Sequence, residues 1–353
     1  MRIIIIELIA FVVVPYFYLY SQWSDDPYIN TRVSDWGVLP MAVEDGNGGA
    51  FVTFYNPGYD PIHCYLQKIN FDGIISWADP IRISNVNDGN YSSTTGMFLT
   101  DDGSKQLIVG YLSGIIYFDT TLGRYEDRLN PYVQKFDSNG NKLWGEEGIR
   151  LKEDTTKLVQ AGILSVPDNK GGTICLWTYY IYETYNRYLW LQHVSESGEL
   201  LWGNDGGILI SDSIEGSNIW MVSDDYGGII IQYIKWIQNQ RHCFIQRFDS
   251  TGTLMWTLEV SLAFPSAIRD GEGGIIVSEI KEYYPEKDTL FVNRISHNGE
   301  KLWGENGIGI FNTEQYNIEP ILHINMFFMK ITLENISTNS LATGQIISFP
   351  LIQ

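Results

Sequence analysis

One short motif recurs five times along the chain and constrains the fold more than any other feature. Aligned on tryptophan, the copies follow the pattern h-Q-x-h-[DSN]-x-x-G-x-x-x-W, in which h is apolar and the last copy has asparagine for glutamine. The pattern predicts a strand, a turn with glycine in the left-handed conformation, and a returning strand that buries its tryptophan. The repeated positions are Trp77, Trp144, Trp202, Trp256 and Trp303, and Gly73, Gly140, Gly198, Gly252 and Gly299.

A second element precedes the tryptophan motif. It is a short strand, an aspartate three residues before a Gly-Gly pair, and an apolar strand; the aspartates are Asp45, Asp168, Asp224 and Asp270. One unit therefore contains four antiparallel strands, and successive tryptophans are 47 to 67 residues apart. Four-stranded units at such spacing are typical of propeller blades. The sequence predicts an all-β protein, a β-propeller of about six four-stranded antiparallel blades, with five clear repeats and a degenerate sixth.

The chain divides into three parts in this interpretation. Residues 1–22 carry one arginine, an apolar run and a polar end, which is typical of a secretory signal peptide, with a retained N-terminal anchor as the alternative. Residues 23–313 form the propeller repeats. Residues 314–353 begin a further unit but lack its Gly-Gly, glutamine and tryptophan, which indicates a degenerate or truncated sixth blade. We expect export to the periplasm, the cell surface or the medium, with no membrane span after cleavage.

The D-x-x-G-x-x-x-W hairpin resembles the tryptophan-bearing repeat of quinoprotein-type (PQQ-like) propellers. Together with the D-x-x-G-G element, it resembles repeats of secreted bacterial β-propeller proteins of unassigned function. The resemblance covers roughly residues 36–313 and implies blades, whereas a propeller fold hosts many functions. Quinoprotein repeats usually have one more residue between aspartate and glycine than the segment from Asp137 to Gly140 has. This departure weakens the quinone-enzyme hypothesis.

Charge and composition exclude some classes of partner. The net charge is −19, from 42 acidic and 23 basic residues, so the surface repels nucleic acid. The acidic residues are dispersed and do not match a calcium-loop spacing. His63-Cys64 and His242-Cys243 occupy the same phase of two repeats, but buried strand thiols explain them better than a metal site. We expect no metal, no cofactor and a monomer.

No catalytic motif stands out. The five histidines are scattered, and there is no G-x-S-x-G, H-E-x-x-H or P-loop. We therefore expect a binding or interaction scaffold more than an enzyme. The alternative is a quinoprotein-like or other propeller enzyme, either an oxidoreductase or one that acts on glycans.

The repeats differ most in the connection between strands 2 and 3, and these loops are aromatic. Tyrosine and tryptophan on loops give rigid contact area that suits a protein, a peptide or a glycan. The competing interpretation is that they pack on the blade edges. The predicted ligand-binding residues are Tyr179, Tyr180, Tyr182, Tyr185, Tyr188, Trp236, Tyr283 and Tyr284.

Overall fold

The described part of the chain folds into five four-stranded antiparallel sheets that follow one another in sequence. The structure is a computed structural model and describes residues 32–56, 62–84, 91–100, 104–121, 123–152, 158–180, 186–203, 206–260, 266–283 and 286–312. In every sheet each strand pairs with the next one along the chain. These residues contain no helix, and hence none long and apolar enough to cross a membrane. The predicted all-β class with four-stranded propeller blades is confirmed.

The five sheets, called blades 1 to 5, contain strands β1 to β20 in order. Blade 1 has β1 (Val38–Glu44), β2 (Ala50–Tyr55), β3 (Cys64–Ile69) and β4 (Ile81–Arg82). Blade 2 has β5 (Tyr91–Leu99), β6 (Leu107–Asp119), β7 (Arg124–Phe136) and β8 (Ile149–Arg150). Blade 3 has β9 (Leu158–Pro167), β10 (Thr173–Tyr180), β11 (Arg187–Val194) and β12 (Ile208–Ser211). Blade 4 has β13 (Ile214–Ser223), β14 (Ile229–Ile237), β15 (Gln240–Phe248) and β16 (Leu254–Val260). Blade 5 has β17 (Ser266–Arg269), β18 (Ile275–Tyr283), β19 (Glu286–Ile295) and β20 (Ile308–Asn312). The predicted signal peptide and sixth blade lie outside the described residues.

The chain divides into two compact units, residues 1–163 and 164–353. In the first unit, Phe51 and Leu66 of blade 1 share an apolar core with Leu107 of blade 2. In the second unit, one apolar core joins blades 3 and 4 and another joins blades 4 and 5. The second strand of a blade is buried on both faces, which explains why β14 begins with a continuous apolar run.

The Gly-Gly pair of the strand 1–2 turn is required by backbone geometry. The first glycine has a positive φ, 85° at Gly171 and at Gly227. The second glycine lies against strand 3, and a Cβ at Gly172 would stand 2.2 Å from the carbonyl oxygen of Val194. No side chain fits there, so the turn needs glycine at both positions for different reasons.

The strand 3–4 turn is as predicted, but the position of the tryptophan is not. The turn glycine has a φ between 76° and 88° in all five copies, which confirms the left-handed conformation. Trp256 lies within β16, whereas the other four tryptophans precede their strand 4. In three of those four copies the residue after the tryptophan is a glycine with positive φ: Gly145, Gly203 and Gly304. Such a residue interrupts a strand. Blade 1 has Ala78 there, so the glycine explains the difference for three copies only.

The repeated glutamine holds this tryptophan segment. Gln134 donates from Nε2 to the carbonyl of Gly145 (2.6 Å), and its Oε1 accepts the backbone N–H of Trp144 (3.1 Å). Asn293 makes the same two bonds to Gly304 and Trp303. The amide therefore replaces the strand ladder that the glycine kink removes.

The tryptophan packs on the following blade. A Cβ at Gly140 would stand 2.9 Å from the ring of Trp77 in the preceding blade. Gly252 meets Trp202 in the same way at 3.1 Å, and Gly299 meets Trp256 at 3.0 Å. Trp144 and Trp202 are buried, whereas Trp77, Trp256 and Trp303 are only half-buried. The predicted packing of tryptophan between neighbouring sheets is confirmed at these three contacts, and the prediction of full burial is wrong for three of the five side chains.

Candidate functional site

Each blade has two ends that differ in chemistry. The turn end carries the strand 1–2 and strand 3–4 turns, and the hairpin-tip end carries the connection between strands 2 and 3. The turn end holds the acidic and basic residues of the repeat, and the hairpin-tip end holds the aromatic residues that the sequence singled out.

A buried aspartate organises the strand 1–2 turn of four blades. Its Oδ1 accepts two backbone N–H groups, from Lys170 and Gly172 in the case of Asp168, at 2.8 Å each. Its Oδ2 faces a basic side chain of strand 3. The N–O distances are 3.4 Å for Asp45–Lys68, 2.8 Å for Asp168–His193, 2.8 Å for Asp224–Arg247 and 2.8 Å for Asp270–Arg294. Both carboxylate oxygens are therefore occupied.

The environment keeps Asp168 ionised. Burial acts to raise its pKa, but the hydrogen bonds from His193 and from two backbone N–H groups outweigh burial, and the pKa lies below its usual value. The pKa values of Asp45 and Asp270 are lowered by the same kinds of contact against the same effect of burial. A carboxylate that is ionised and fully paired is a poor general acid. These aspartates therefore stabilise the strand 1–2 turn and are unsuited to act as general acids.

The sequence itself contains a signal for these ion pairs, in the position that follows the repeated amide. The residue after the repeated glutamine or asparagine is basic in every copy: Lys68, Lys135, His193, Arg247 and Arg294. Lys135 is buried, and its ammonium group lies 6.0 Å from the centre of the Trp144 ring. A basic side chain repeated on a buried strand indicates a buried acidic partner, because an unpaired buried charge is costly.

Three of the predicted aromatic residues of blade 3 lie on strands and not in a loop. Tyr179 and Tyr180 end β10, and Tyr188 lies directly opposite Tyr179 on β11. Tyr179 is buried, and its ring contacts Trp190 edge to face. The prediction that these three residues stand on a variable loop is wrong because the hairpin continues to Tyr180 and Arg187. Whether they contact a ligand remains a prediction.

The other aromatic candidates divide into two groups. Tyr182, Tyr185 and Tyr284 lie outside the described residues, and Tyr283 is the last residue of β18. Tyr180 and Trp236 are described with their side chains. The guanidinium of Arg187 lies 5.2 Å from the centre of the Tyr180 ring, so that ring already has a cationic partner.

Trp236 is the most exposed tryptophan among the residues that the structure describes. It is 46% exposed and stands next to the tip of the β14–β15 hairpin. Its side chain makes no hydrogen bond or ring contact with the described residues, whereas Trp36 packs edge to face on Phe54 and Tyr65. The tip residues Gln238 and Asn239 have φ values of 50° and 63°, which is the tight turn that a two-residue hairpin requires.

An ion pair stands beside Trp236 on the same face of blade 4. Arg241 lies directly opposite Trp236, and its Nε and Nη2 donate to the carboxylate of Glu215 at 2.6 and 3.0 Å. Glu215 pairs with Ile234, two residues before Trp236, so the three side chains share one face. Neither Arg241 nor Glu215 was predicted, because the contact joins β13 to β15 and no spacing in the sequence indicates it.

The Arg241 guanidinium keeps hydrogen-bonding capacity for a ligand. A guanidinium carries five N–H donors in a planar fork, and Glu215 occupies one edge of it. Its Nη1 has no partner among the described residues. The hairpin tip therefore presents an open indole ring beside directed polar donors, held in place by a bidentate ion pair.

The described residues contain no group of three or more metal-ligating side chains. The His63 ring contacts Arg82 at 3.2 Å, and the His242 ring contacts Glu259 at 2.7 Å. Cys64 and Cys243, next to these histidines, are buried free thiols. The two His-Cys pairs thus have different partners in blades 1 and 4.

Comparison with known proteins gives no family. No family model matches the chain, and no curated protein matches it. A protein of unknown function from Bacteroides caccae is 12% identical over 72% of this chain and 74% of that one, with a TM-score of 0.33. The polysaccharide lyase Uly1 is 12% identical over 74% of this chain and 56% of that one, with a TM-score of 0.41. The NanB sialidase from Streptococcus pneumoniae is 11% identical over 78% of this chain and 62% of that one, with a TM-score of 0.39. The chain spans less than two thirds of the lyase and the sialidase. At these TM-scores the similarities define neither a substrate nor an activity for this chain.

Proposed function

We propose that this protein is an exported binding scaffold that holds a neutral saccharide against Trp236 at the hairpin-tip end of blade 4. The observation that carries the proposal is the open indole ring of Trp236, 46% exposed, opposite Arg241. Export rests on the N-terminal sequence, which suits a signal peptide.

The chemistry of the site suits a sugar ring. One face of a sugar presents C–H groups that pack on an indole, and its rim presents hydroxyls that need directed hydrogen bonds. Trp236 supplies an apolar platform of low conformational entropy, and Arg241 supplies fixed donors. Amide side chains at Gln238, Asn239 and Gln240 line the exposed tip. Aromatic rings with a few well-placed polar groups are the usual make-up of a small-ligand site.

Size and charge favour a neutral saccharide over the other partners considered. The exposed apolar surface at the tip consists of Trp236 and Ile237, whereas a stable protein interface buries about 800 Å² per partner. The net charge of −19 opposes an anionic glycan. No observation on the described residues favours a quinone-dependent or glycan-cleaving enzyme.

Direct binding measurements test the proposal. We would titrate the purified protein with neutral oligosaccharides (glucan, mannan, xylan and galactan fragments) and follow tryptophan fluorescence and calorimetry. Trp236→Ala should weaken binding by about 1 to 3 kcal/mol, the usual range for an interface anchor. Arg241→Lys should weaken it by a smaller amount, because a lysine cannot reproduce the fork.

The matched control is Tyr226→Ala. Tyr226 is a 63% exposed aromatic residue at the turn end of the same blade. Its removal shows whether loss of any exposed aromatic ring weakens binding, or only loss of the ring at the hairpin tip. Equal loss of binding in the two alanine variants would contradict the site. Product formation from any of the oligosaccharides would show an enzyme in place of a binding scaffold.

A further inference from the structure

The outer strand of blade 4 is longer than that of any other described blade. β16 runs for 7 residues, whereas β4 and β8 have 2, β12 has 4 and β20 has 5. In blades 2, 3 and 5 a glycine with positive φ follows the repeated tryptophan and interrupts the strand. In blade 4 that residue is Thr257, a β-branched residue that favours a strand. Blade 1 has Ala78 at this position and an outer strand of only two residues, so the long strand of blade 4 goes with the β-branched Thr257 and not with the loss of glycine alone.

In blade 4 the repeated glutamine, Gln246, bonds side chains and not the backbone of the tryptophan segment. Gln246 donates to the hydroxyl of Thr257 at 3.0 Å and accepts from the hydroxyl of Tyr233 at 3.2 Å. In blade 2 the equivalent Gln134 bonds the backbone of the tryptophan segment. Backbone pairing of β15 with β16 takes over that function, and Gln246 and Thr257 become side-chain partners.

β16 leaves one edge of blade 4 open. It is the last strand of its sheet, and no described strand pairs with its outer edge. Native proteins protect such edges with lysine, proline, short strands or bulges in the strand. The one irregularity of β16 lies at its start, between the pairs formed by Arg247 and Phe248, and the segment from Trp256 to Val260 is regular. This segment contains no lysine or proline.

The two faces of β16 have opposite character. Trp256, Leu258 and Val260 pack against the apolar core shared with blade 5. Met255, Thr257 and Glu259 point the other way and are exposed. A strand added at this edge would extend both faces, so its own side chains must alternate between apolar and polar.

We propose that β16 binds an extended segment of a partner protein, which adds a fifth strand to blade 4. The segment carries β-branched apolar residues on the side of Leu258 and a lysine or arginine beside Glu259. Backbone hydrogen bonds supply affinity in this mode of binding, and alternate side chains supply specificity. The proposal is independent of the saccharide site, because it rests on the edge of β16 and not on Trp236.

Charge decides which occupant fits. Glu259 is the only charged residue of β16; its Oε1 contacts the ring of His242 at 2.7 Å, and the side chain is still 58% exposed. A basic residue beside it would be attracted both by Glu259 and by the net charge of −19, whereas two copies of this chain would repel each other. A basic segment is therefore favoured over a second copy.

A synthetic peptide tests the proposal on the intact protein. The probe is acetyl-Val-Thr-Val-Lys-Val-Thr-Val-amide with a fluorescent label, followed by anisotropy. We expect saturable binding to the unchanged protein, and a loss of about tenfold or more with Thr257→Lys, because a lysine on an edge opposes strand addition. Ser76→Lys is the control: it adds the same charge at an exposed position of blade 1. Binding should be unchanged in that variant.

Two further arms keep the test decisive if the Thr257 variant folds poorly. The probe with every amide N-methylated keeps its side chains but loses its backbone donors, and it should not bind. Glu259→Lys should lose the lysine probe and bind a probe with glutamate in place of lysine. The proposal is overturned by equal binding of the N-methylated probe, by equal binding to the Thr257 variant, or by no binding at all. Self-association of the protein that disappears in Thr257→Lys would also overturn it, in favour of a second copy.

Discussion

The indole N–H of Trp256 donates a hydrogen bond of 2.8 Å to the backbone carbonyl of His297, in the strand 3–4 turn of the next blade. Trp202 makes the same bond to Ser250 at 3.2 Å. In both pairs the ring also lies against the glycine of that turn. Trp202 and Trp256 thus each contact the following blade in two ways, through the packing of the ring and through the hydrogen bond of the indole N–H.

Removal of one such tryptophan should destabilise the protein strongly. Trp202 is 3% exposed, and truncation of a buried tryptophan to alanine costs about 3 to 5 kcal/mol. We therefore expect Trp202→Ala to lower the free energy of unfolding by that amount in urea titrations. Trp236→Ala provides the comparison, because exposed positions change stability by about 0.5 kcal/mol or less. Similar losses in the two variants would contradict the interblade role of Trp202.

Alanine at Gly140 should cost more than alanine at Gly123. Both glycines have positive φ, 87° and 66°, so each substitution carries a backbone cost of about 1 to 2 kcal/mol. At Gly140 the new Cβ would also stand 2.2 Å from Ile81 and 2.9 Å from Trp77, whereas at Gly123 nothing lies within 4 Å. The difference in melting temperature between the two variants isolates the contact between blades. Equal melting temperatures for the two variants would mean that Ile81 and Trp77 move aside without loss of stability.

Stability should fall in acid because of the buried aspartates. The pKa of Asp168 is lower in the folded protein than its usual value of 3.8, and those of Asp45 and Asp270 are lowered as well. A carboxyl with a depressed folded pKa contributes stability above its unfolded pKa and loses it as the pH falls through the folded pKa. Urea titrations between pH 7 and pH 2 should show this loss below about pH 4.

Asp168→Asn checks the assignment. Asparagine lacks the carboxylate, so the variant should be less stable at pH 7 and should lose less on acidification than the unchanged protein. Asp72→Asn, at an exposed turn position, should lose as much stability on acidification as the unchanged protein. If Asp168→Asn loses as much stability at low pH as the unchanged protein, the loss belongs to other groups.

The three cysteines should resist alkylation in the folded state. Cys64, Cys175 and Cys243 are buried free thiols, and burial raises the pKa of Cys175 to about 12. The thiolate is the reactive form, so iodoacetamide at pH 8 should modify none of them without unfolding. Mass spectrometry should then show three modifications after guanidinium denaturation. Rapid modification of the native protein would place a thiol at the surface.

The sequence predicted the class of fold because its repeats state the local geometry directly. Glycine at a position of positive φ and aspartate before a Gly-Gly pair each have one simple structural explanation. The path of the chain around the tryptophan was harder to predict, since Gly145 and Thr257 lie outside the motif, and strand 4 is interrupted after the first and continuous through the second. Local signals thus gave the turns correctly and the strand ends incorrectly.

The candidate site was predicted only in part, for a physical reason. Trp236 was recognised as an aromatic residue near a loop, but Glu215 and Arg241 meet across β14, 26 residues apart. Tyr179 was predicted to bind a ligand, with packing on the blade edge as the alternative, and its burial depends on how far the hairpin extends. Contacts between distant strands and the length of a hairpin are tertiary properties that composition does not encode.

The direction of the tryptophan contacts also bears on synthesis at the ribosome. Trp77 rests on the turn of Gly140, and Trp202 on that of Gly252, in each case a residue about 50 or more positions later. A domain emerges from its N-terminus at about 5 to 20 residues per second. Several seconds therefore pass between the synthesis of such a tryptophan and that of the turn that packs on its ring. During that interval Trp77 or Trp202 is already synthesised while the turn that covers its ring is not, so an apolar ring is exposed until the next blade emerges.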